Sequence, residues 1–178
     1  SYSGTLANFS SAEVKSGTVT LSGQSTFTGT TALSGGTLVL NGNISTSILT
    51  TVESGGTLAG TGTVGSLSVT SGGNVSPGNS AGILHVAGNY SQTGDSLTVD
   101  LGGIAAGSQY DQLHVSGSVT LGGSLVGNLG YVPAYGDLLF ILANDGGDAI
   151  QGAFDGMADQ STVTFGDYQR IISYTADY

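Results

Sequence analysis

Apolar residues alternate with small hydroxyl residues along most of the chain, and glycine interrupts the alternation every few residues. The pattern is clearest in residues 54–86, where each Gly or Gly-Gly pair precedes one small polar residue and then Leu, Val or Ile. Alternation with a period of two predicts β-strands. These strands are too short for a stable hairpin meander. We therefore predict that they belong to a structure that coils.

The same alternation predicts which side chains face the core. In residues 17–23, Val19 and Leu21 are expected to point inward and the hydroxyl residues between them outward. Beyond residue 96 the strands lengthen and alternate more cleanly. They are predicted at residues 97–101, 112–116, 119–121 and 125–129.

Similar strands begin after glycines that recur at a fairly regular interval. These glycines are Gly36, Gly56, Gly73, Gly103 and Gly123. A period near 20 residues is typical of one coil of a solenoid. Leucine-rich repeats have a similar period, but the chain lacks their Leu-x-x-Leu-x-Leu core and Asn ladder. We predict an all-β fold, a parallel β-helix of about nine coils.

The chain is predicted to form a single β-helix domain over residues 1–178, in three parts. Residues 1–34 are an irregular N-terminal coil, 34–129 the repeat coils, and 130–178 the C-terminal coils and cap. The last part holds eight of the thirteen aromatic residues. Larger side chains at one end suit a cap, which repeat proteins need to close an open core.

Composition supports order despite its bias. The chain has 32 Gly, 24 Ser and 21 Thr among 178 residues, which would suit a linker. Only 8% of the residues are charged, however, and disorder favours high charge and low hydrophobicity. The recurring Leu, Val and Ile therefore predict a folded core.

Charge and cysteine content exclude several partners and sites. The net charge is −10, and ten Asp with one Arg lie beyond residue 94. Nucleic acid and anionic membranes would be repelled, so neither is expected as a partner. The absence of Cys excludes disulfides and thiolate metal sites. No run of about 18 apolar residues occurs, so we expect no membrane-spanning helix.

Several motifs occur in an order that carries a family resemblance. They are the run 71–84 (SGGNVSPGNSAGIL), Gly88-Asn89-Tyr90, Tyr110-Asp111-Gln112-Leu113, the run 119–125, Gly136-Asp137, Phe140-Ile141-Leu142, and the ending 152–154 through 172–175. Together they resemble the autotransporter-associated β-strand repeat of bacterial surface passengers. The resemblance covers roughly residues 34 to 176.

This resemblance implies a right-handed parallel β-helix, export across the outer membrane, and a stalk-like or adhesive role at the bacterial surface or outside the cell. No translocator β-barrel follows Tyr178 in the sequence. We therefore expect either a passenger whose barrel was removed or a secreted, filament-forming relative.

One motif suggests nucleophilic catalysis. Residues 78–82 match the G-x-S-x-G pattern of a hydrolase nucleophile elbow, with Ser80 as the nucleophile. That mechanism needs a strand-to-helix turn and a His partner. No helical pattern follows Ser80, so the motif is interpreted as a turn between coils, and no catalytic residue is predicted.

Two histidines share the same local context. His85 and His114 each lie in Leu-His-Val, between two inward residues, so both imidazoles are expected to face outward. On neighbouring coils they would form a ladder or a pH-sensitive pair. Exposed polar residues of a strand are the simpler interpretation. A metal-binding or catalytic role is the alternative, although no third ligand is evident in the sequence.

Acidic residues provide the remaining candidates. Residues 144–148 place Asp145 and Asp148 in a Gly-rich turn that suits Ca²⁺, although a solvated acidic turn is the simpler interpretation. Ca²⁺ is the only candidate cofactor. Asp100, Asp111 and Asp137 would form a glycosidase-like or lyase-like groove only in an arrangement that the sequence does not show.

The leading hypothesis is a non-enzymatic structural module, a stalk or scaffold. Because open β-helix ends are templates for strand pairing, head-to-tail association into fibres is a further expectation. An adhesin that binds glycans or a host surface is the second hypothesis, and a carbohydrate-active enzyme is the third.

Overall fold

The computed structural model describes residues 3–4, 7, 9–145 and 147–175. Within these ranges, all regular secondary structure is β. In chain order the strands are β1 Ser3–Gly4, β2 Ser11–Val14, β3 Thr18–Leu21, β4 Thr30–Leu33, β5 Gly36–Leu40, β6 Asn43–Val52, β7 Gly56–Gly60, β8 Thr63–Val69, β9 Asn74–Pro77, β10 Ile83–Val86, β11 Tyr90–Gln92, β12 Ser96–Leu101, β13 Gln112–Val115, β14 Val119–Leu121, β15 Ser124–Leu129, β16 Leu142–Asn144, β17 Gln151–Gly152, β18 Thr162–Phe165 and β19 Tyr168–Ile171. No helix in the described ranges is long and apolar enough to cross a membrane.

Two parallel sheets account for all strands but the last two. The first sheet has the order β1-β3-β5-β7-β9-β12-β15, so the chain leaves it after each strand and returns one position further along. The second sheet receives the chain in between. It stacks β2, β4, β6 and β8, and then continues as two shorter columns, β10-β13-β16 and β11-β14-β17. The prediction of an all-β structure with parallel pairing is confirmed.

The spacing between paired strands varies more than predicted. We call the stretch from one strand of the first sheet to the next a coil. Paired residues are 17 apart at Ser3 and Thr20, 20 apart at Gly36 and Gly56, and 28 apart at Ser96 and Ser124. In the described ranges the first sheet therefore has seven strands rather than about nine. The coil from β12 to β15 is the longest of these because the connection between β12 and β13 carries an extra loop.

The core consists of aliphatic columns that run from coil to coil. Because strands pair in register, inward side chains of successive coils stack directly on one another. One column of the first sheet is Leu38, Leu58, Val75, Leu97 and Leu125, and one of the second sheet is Ile44, Val64, Val86 and Val115. All nine are buried. Leu21 is buried as predicted, and Val19 packs partly buried against the same core.

The N-terminal region contains regular strands. Its sequence is the least regular part of the chain, and β2, β3 and β4 lie within it and pair in register with the following coils. The sequence looks irregular because several positions use Ala, Thr or Glu instead of Leu and Val. Backbone ladders do not require particular side chains, so the strands form regardless.

Glycine at the corners sets the turns that separate the strands. The amide of Gly56 donates to the Glu53 carbonyl, and that of Gly73 to the Thr70 carbonyl. The third turn residues, Gly55 and Gly72, have φ of 81° and 87°. This combination matches type II turns, which need a positive φ at that position.

The strands β18 and β19 form an antiparallel hairpin, which is called the cap below. It contacts β15, the last strand of the first sheet. In the inward column of that sheet, Val99 pairs with Gly127, so a glycine stands where the preceding coil has valine. A Cβ at Gly127 would lie 2.5 Å from Cδ1 of Phe165. The aromatic ring of the hairpin therefore occupies the space that the missing side chain leaves.

Candidate functional site

His85 and His114 lie side by side on the outer face of the second sheet. They are directly paired in register between β10 and β13. Their ring centroids are 5.4 Å apart with an edge-on interplanar angle of 69°, and their Nδ1 atoms are 3.3 Å apart. The spacing of 29 residues in sequence is one full coil. The two histidines therefore lie on neighbouring coils, an arrangement considered above beside the simpler interpretation of two separate exposed residues.

The environment of this pair favours the neutral form of His85. Burial lowers the pKa of His85, and the neighbouring His114 lowers it further, because a second positive charge would be close by. In the same column Thr63 pairs with His85 on one side, and Ala143 pairs with His114 on the other. Small flanking residues leave the outer side of both imidazoles accessible.

Asp111 is a buried carboxylate that joins three segments. Its Oδ1 accepts a hydrogen bond from the Gly82 amide at 2.8 Å, and its Oδ2 accepts one from the Asp100 amide at 2.8 Å. The Asp111 amide in turn donates to the Asp100 carbonyl. Only 1% of the residue is exposed. Both carboxylate oxygens are thus committed to holding the backbone.

Ser80 lies in the turn that this carboxylate holds. It is exposed, in a bend between β9 and β10, and a strand rather than a helix follows. Gly78 has a φ of 85°, and a Cβ there would lie 2.5 Å from Oδ1 of Asp111. The G-x-S-x-G motif therefore has a structural explanation: its glycines allow the turn to close around Asp111.

Residues flanking Asp111 bind the next coil. The Tyr110 hydroxyl accepts a hydrogen bond from the Phe140 amide at 3.2 Å, and the Gln112 side-chain amide donates to the Phe140 carbonyl at 2.6 Å. Motifs that are far apart in the sequence resemblance, at 78–82, 110–112 and 140, thereby form one connected unit. Its contacts are structural.

Asp111 should make the stability of the protein depend on pH. Burial is the largest effect and raises the pKa of Asp111 from 3.8 to about 6, although the two amide hydrogen bonds oppose it. Since the folded-state pKa exceeds the unfolded-state value, the folded protein favours the protonated carboxyl. The resulting contribution to the free energy of unfolding is fully present below about pH 4 and is lost as the pH rises through about 6. We expect urea denaturation to show the wild type losing stability relative to Asp111→Asn between pH 4 and 7. A constant difference between the two proteins across that range would contradict this prediction.

Of the three Asp residues considered for a substrate groove, the structure brings Asp100 and Asp111 together. The contacts are made with the backbone of Asp100 and not with its carboxylate. Asp100 is exposed, and its Oδ1 accepts a hydrogen bond from the Asn128 side chain at 3.0 Å. Oδ2 of Asp111 accepts a hydrogen bond from the Asp100 amide. Asp137 accepts a hydrogen bond from the Ala134 amide within its own turn. A glycosidase needs two carboxyl groups that face a substrate, and the buried, committed Asp111 is unsuited to that role.

The acidic turn holds Asp145 and Asp148 at the surface, both exposed. The Asn144 side chain donates to the Asp148 carbonyl at 2.7 Å, and Oδ1 of Asp145 accepts from the Gly147 amide at 3.4 Å. Gly146, part of the same predicted turn, lies outside the described residues. Across the described ranges, no three His, Cys, Asp or Glu residues group closely enough to hold a metal ion. Calcium binding at this turn stays a prediction.

Comparison with known proteins gives one partial similarity. Over 70 residues the chain is 39% identical to an extracellular serine protease of Serratia marcescens. The matched segment is 39% of this chain but 6% of that protein, so the chain corresponds to a small part of its length. No family model matches the chain, and no solved structure matches it.

A buried polar cluster was missed at the sequence level. Tyr90 and Gln92 are buried at inward positions, and the Tyr90 hydroxyl donates to Oε1 of Gln92 at 2.6 Å. The Gln92 side-chain amide donates to the carbonyls of Asp95 and Ser124, at 3.0 and 3.1 Å. Asp95 has a φ of 53°, unusual for a non-glycine residue. Strict alternation along Tyr90-Ser91-Gln92 could have revealed the inward glutamine.

A cavity at the C-terminal end was also missed. Its volume is about 290 Å³, and most of its lining is apolar. The lining includes Leu125, Leu129, Phe154, Phe165 and Tyr168. The cavity lies where the last coil meets the cap, because the hairpin does not fill the end of the core completely.

Proposed function

We propose that the chain is a non-enzymatic structural module, a right-handed parallel β-helix that serves as a stalk or scaffold in a bacterial protein outside the cell. The observation that carries the proposal is the continuous ladder of the first sheet, in which each strand pairs with the strand of the next coil. Parallel strands joined by crossovers are right-handed in nearly all proteins, which supports the handedness.

The ladders favour a load-bearing role. Hydrogen bonds between strands run along the stacking direction, so each coil is tied to the next by backbone groups and by a column of buried aliphatic side chains. Side chains on the outer face add to this. Oδ1 of Asn74 accepts hydrogen bonds from Ser96 at 2.8 Å and Thr98 at 2.9 Å, both on the next coil.

Three observations support a location outside the cell. The partly similar relative is named as an extracellular protein, and the motifs of the chain resemble those of exported bacterial passengers. The chain also lacks Cys, so its stability comes from ladders and core packing rather than disulfides. Such a chain can be exported unfolded and can fold without an oxidation step.

Single-molecule pulling tests the load-bearing role. With handles at residues 9 and 172, we expect the coils to resist force and to release length in steps of about 60 to 95 Å, because coils of 17 to 28 residues extend by about 3.4 Å per residue. Extension of the chain without a measurable unfolding force would contradict the proposal.

Activity assays test the non-enzymatic part of the proposal. We expect no turnover of peptide, ester or polysaccharide substrates by the purified chain. Turnover that disappears in Ser80→Ala, while the circular dichroism spectrum is unchanged, would overturn it.

Head-to-tail stacking into fibres and recognition of surface glycans stay predictions. The cap bears on the first of them, because its hairpin covers part of the edge at β15, and β16 and β17 are only three and two residues long. Covered and short edge strands discourage pairing with another copy. Stacking through this end would therefore require the cap to move.

A further inference from the structure

We propose that His85 and His114 form a zinc-binding site on the outer face of the second sheet, with two coordination positions open to solvent. Neither the structural role proposed above nor the relative's name implies such a site. The proposal rests on the geometry of the pair, its rigid support and its chemistry.

The separation of the two nitrogens matches that of a tetrahedral ion. Zn²⁺ binds histidine nitrogens at about 2.0 to 2.1 Å, so two nitrogens on one tetrahedral ion lie about 3.3 to 3.4 Å apart. The Nδ1 atoms of His85 and His114 are 3.3 Å apart. In the hydrogen-bonded pair one Nδ1 points at the other, so both rings must rotate for their lone pairs to meet at one ion, and the observed separation shows that the two nitrogens lie within reach of the same ion.

The backbone holds this separation. Residues on both sides of each histidine pair in register, Leu84 with Leu113 and Val86 with Val115. All four of these side chains are buried. The two Cβ atoms are therefore fixed by the ladder and by the core behind it, and binding an ion costs little conformational entropy.

A neutral histidine pair can supply both ligands. Zinc binds the neutral imidazole, whose unprotonated ring nitrogen carries a lone pair. Without an ion, one Nδ1 donates its proton to the other. On binding, that proton moves to Nε2 of the same ring, so the neutral pair binds Zn²⁺ without a net loss of protons, and two waters complete the tetrahedron.

Isothermal titration with ZnCl₂ at pH 7.5 tests the site. We expect one ion per chain in the wild type, and an affinity at least about tenfold lower in His85→Gln and in His114→Gln, because each variant loses a direct ligand. The matched control is Asp145→Asn with Asp148→Asn, which removes the exposed acidic turn and should leave the affinity unchanged. An affinity that falls in this control, but not in the histidine variants, would overturn the proposal.

A second measurement on the wild type does not depend on the folding of any variant. When Zn²⁺ is added, the ¹⁵N chemical shifts of the imidazoles should report a metal-bound Nδ1 and a protonated Nε2 in both histidines, and Co²⁺ in its place should give the intense visible absorption of a tetrahedral site. Absence of stoichiometric binding, or shifts confined to Nε2, would show that the pair is only a hydrogen-bonded ladder.

Discussion

Replacing Gly127 with valine is expected to displace the C-terminal cap and lower the free energy of unfolding by about 2 to 4 kcal/mol. The substitution restores the residue that the preceding coil carries, since Gly127 pairs with Val99. The added side chain, however, needs the space of the Phe165 ring, which lies 2.5 Å from the position of a Cβ. Either the ring leaves the core or β15 shifts. Urea denaturation measures the loss, and faster proteolysis beyond residue 156 reports detachment of the hairpin.

A control just past the end of β15 and a double variant distinguish the clash from a general intolerance of this region to valine. At Gly130, three residues further along, the nearest atoms to an added Cβ are 3.8 Å away, so Gly130→Val should cost far less. Combining Gly127→Val with Phe165→Ala removes the ring that valine displaces. The double variant should therefore be less destabilised than the sum of the two single variants. Additive effects would show that the ring and the glycine do not share this space.

Replacing Gln92 with leucine is expected to lower the free energy of unfolding by about 2 to 4 kcal/mol, although leucine is similar in size and apolar. The side chain is completely buried and makes three hydrogen bonds, one of them with the Tyr90 hydroxyl. Leucine leaves that hydroxyl buried without a partner. It also removes the donor that fixes the carbonyl of Asp95 in its strained turn. Thermal or urea denaturation gives the loss directly.

The double variant Tyr90→Phe with Gln92→Leu provides the test of this explanation. Removing both partners of a buried hydrogen bond costs less than removing one, because no polar group is left unpaired. The double variant should thus be more stable than Gln92→Leu alone. If it is less stable by the full effect of Tyr90→Phe, the hydroxyl is not what makes the leucine costly.

The alternation of apolar and polar residues made much of the fold predictable. Alternation of Leu, Val and Ile with Thr and Ser indicates which side chains face inward, and the stacked column through Leu58, Val75 and Leu97 follows it. The strands predicted at 97–101, 112–116, 119–121 and 125–129 are observed within one residue at each end. Local patterns suffice here because a strand's facing depends on its own sequence.

Which residues pair between neighbouring coils was less predictable than which side chains point inward. Gly36, Gly56 and Gly73 open successive strands of the first sheet, but the equivalent residue of the next coil is Asp95, and Gly103 lies in the extra loop instead. The spacing between glycines alone cannot distinguish an ordinary coil from a coil that contains an insertion. The pairing of strands between coils makes this distinction.

The candidate sites show the same division. By itself, the sequence determined that His85 and His114 share a context and face outward, because Leu-His-Val fixes the alternation on either side of each histidine. Only the tertiary structure decided that one coil separates them and that their Nδ1 atoms are 3.3 Å apart. It also decided that Asp111 is a buried support for the 78–82 turn rather than part of a groove. Side-chain facing is a local property, whereas register and burial of a polar group depend on residues a full coil away.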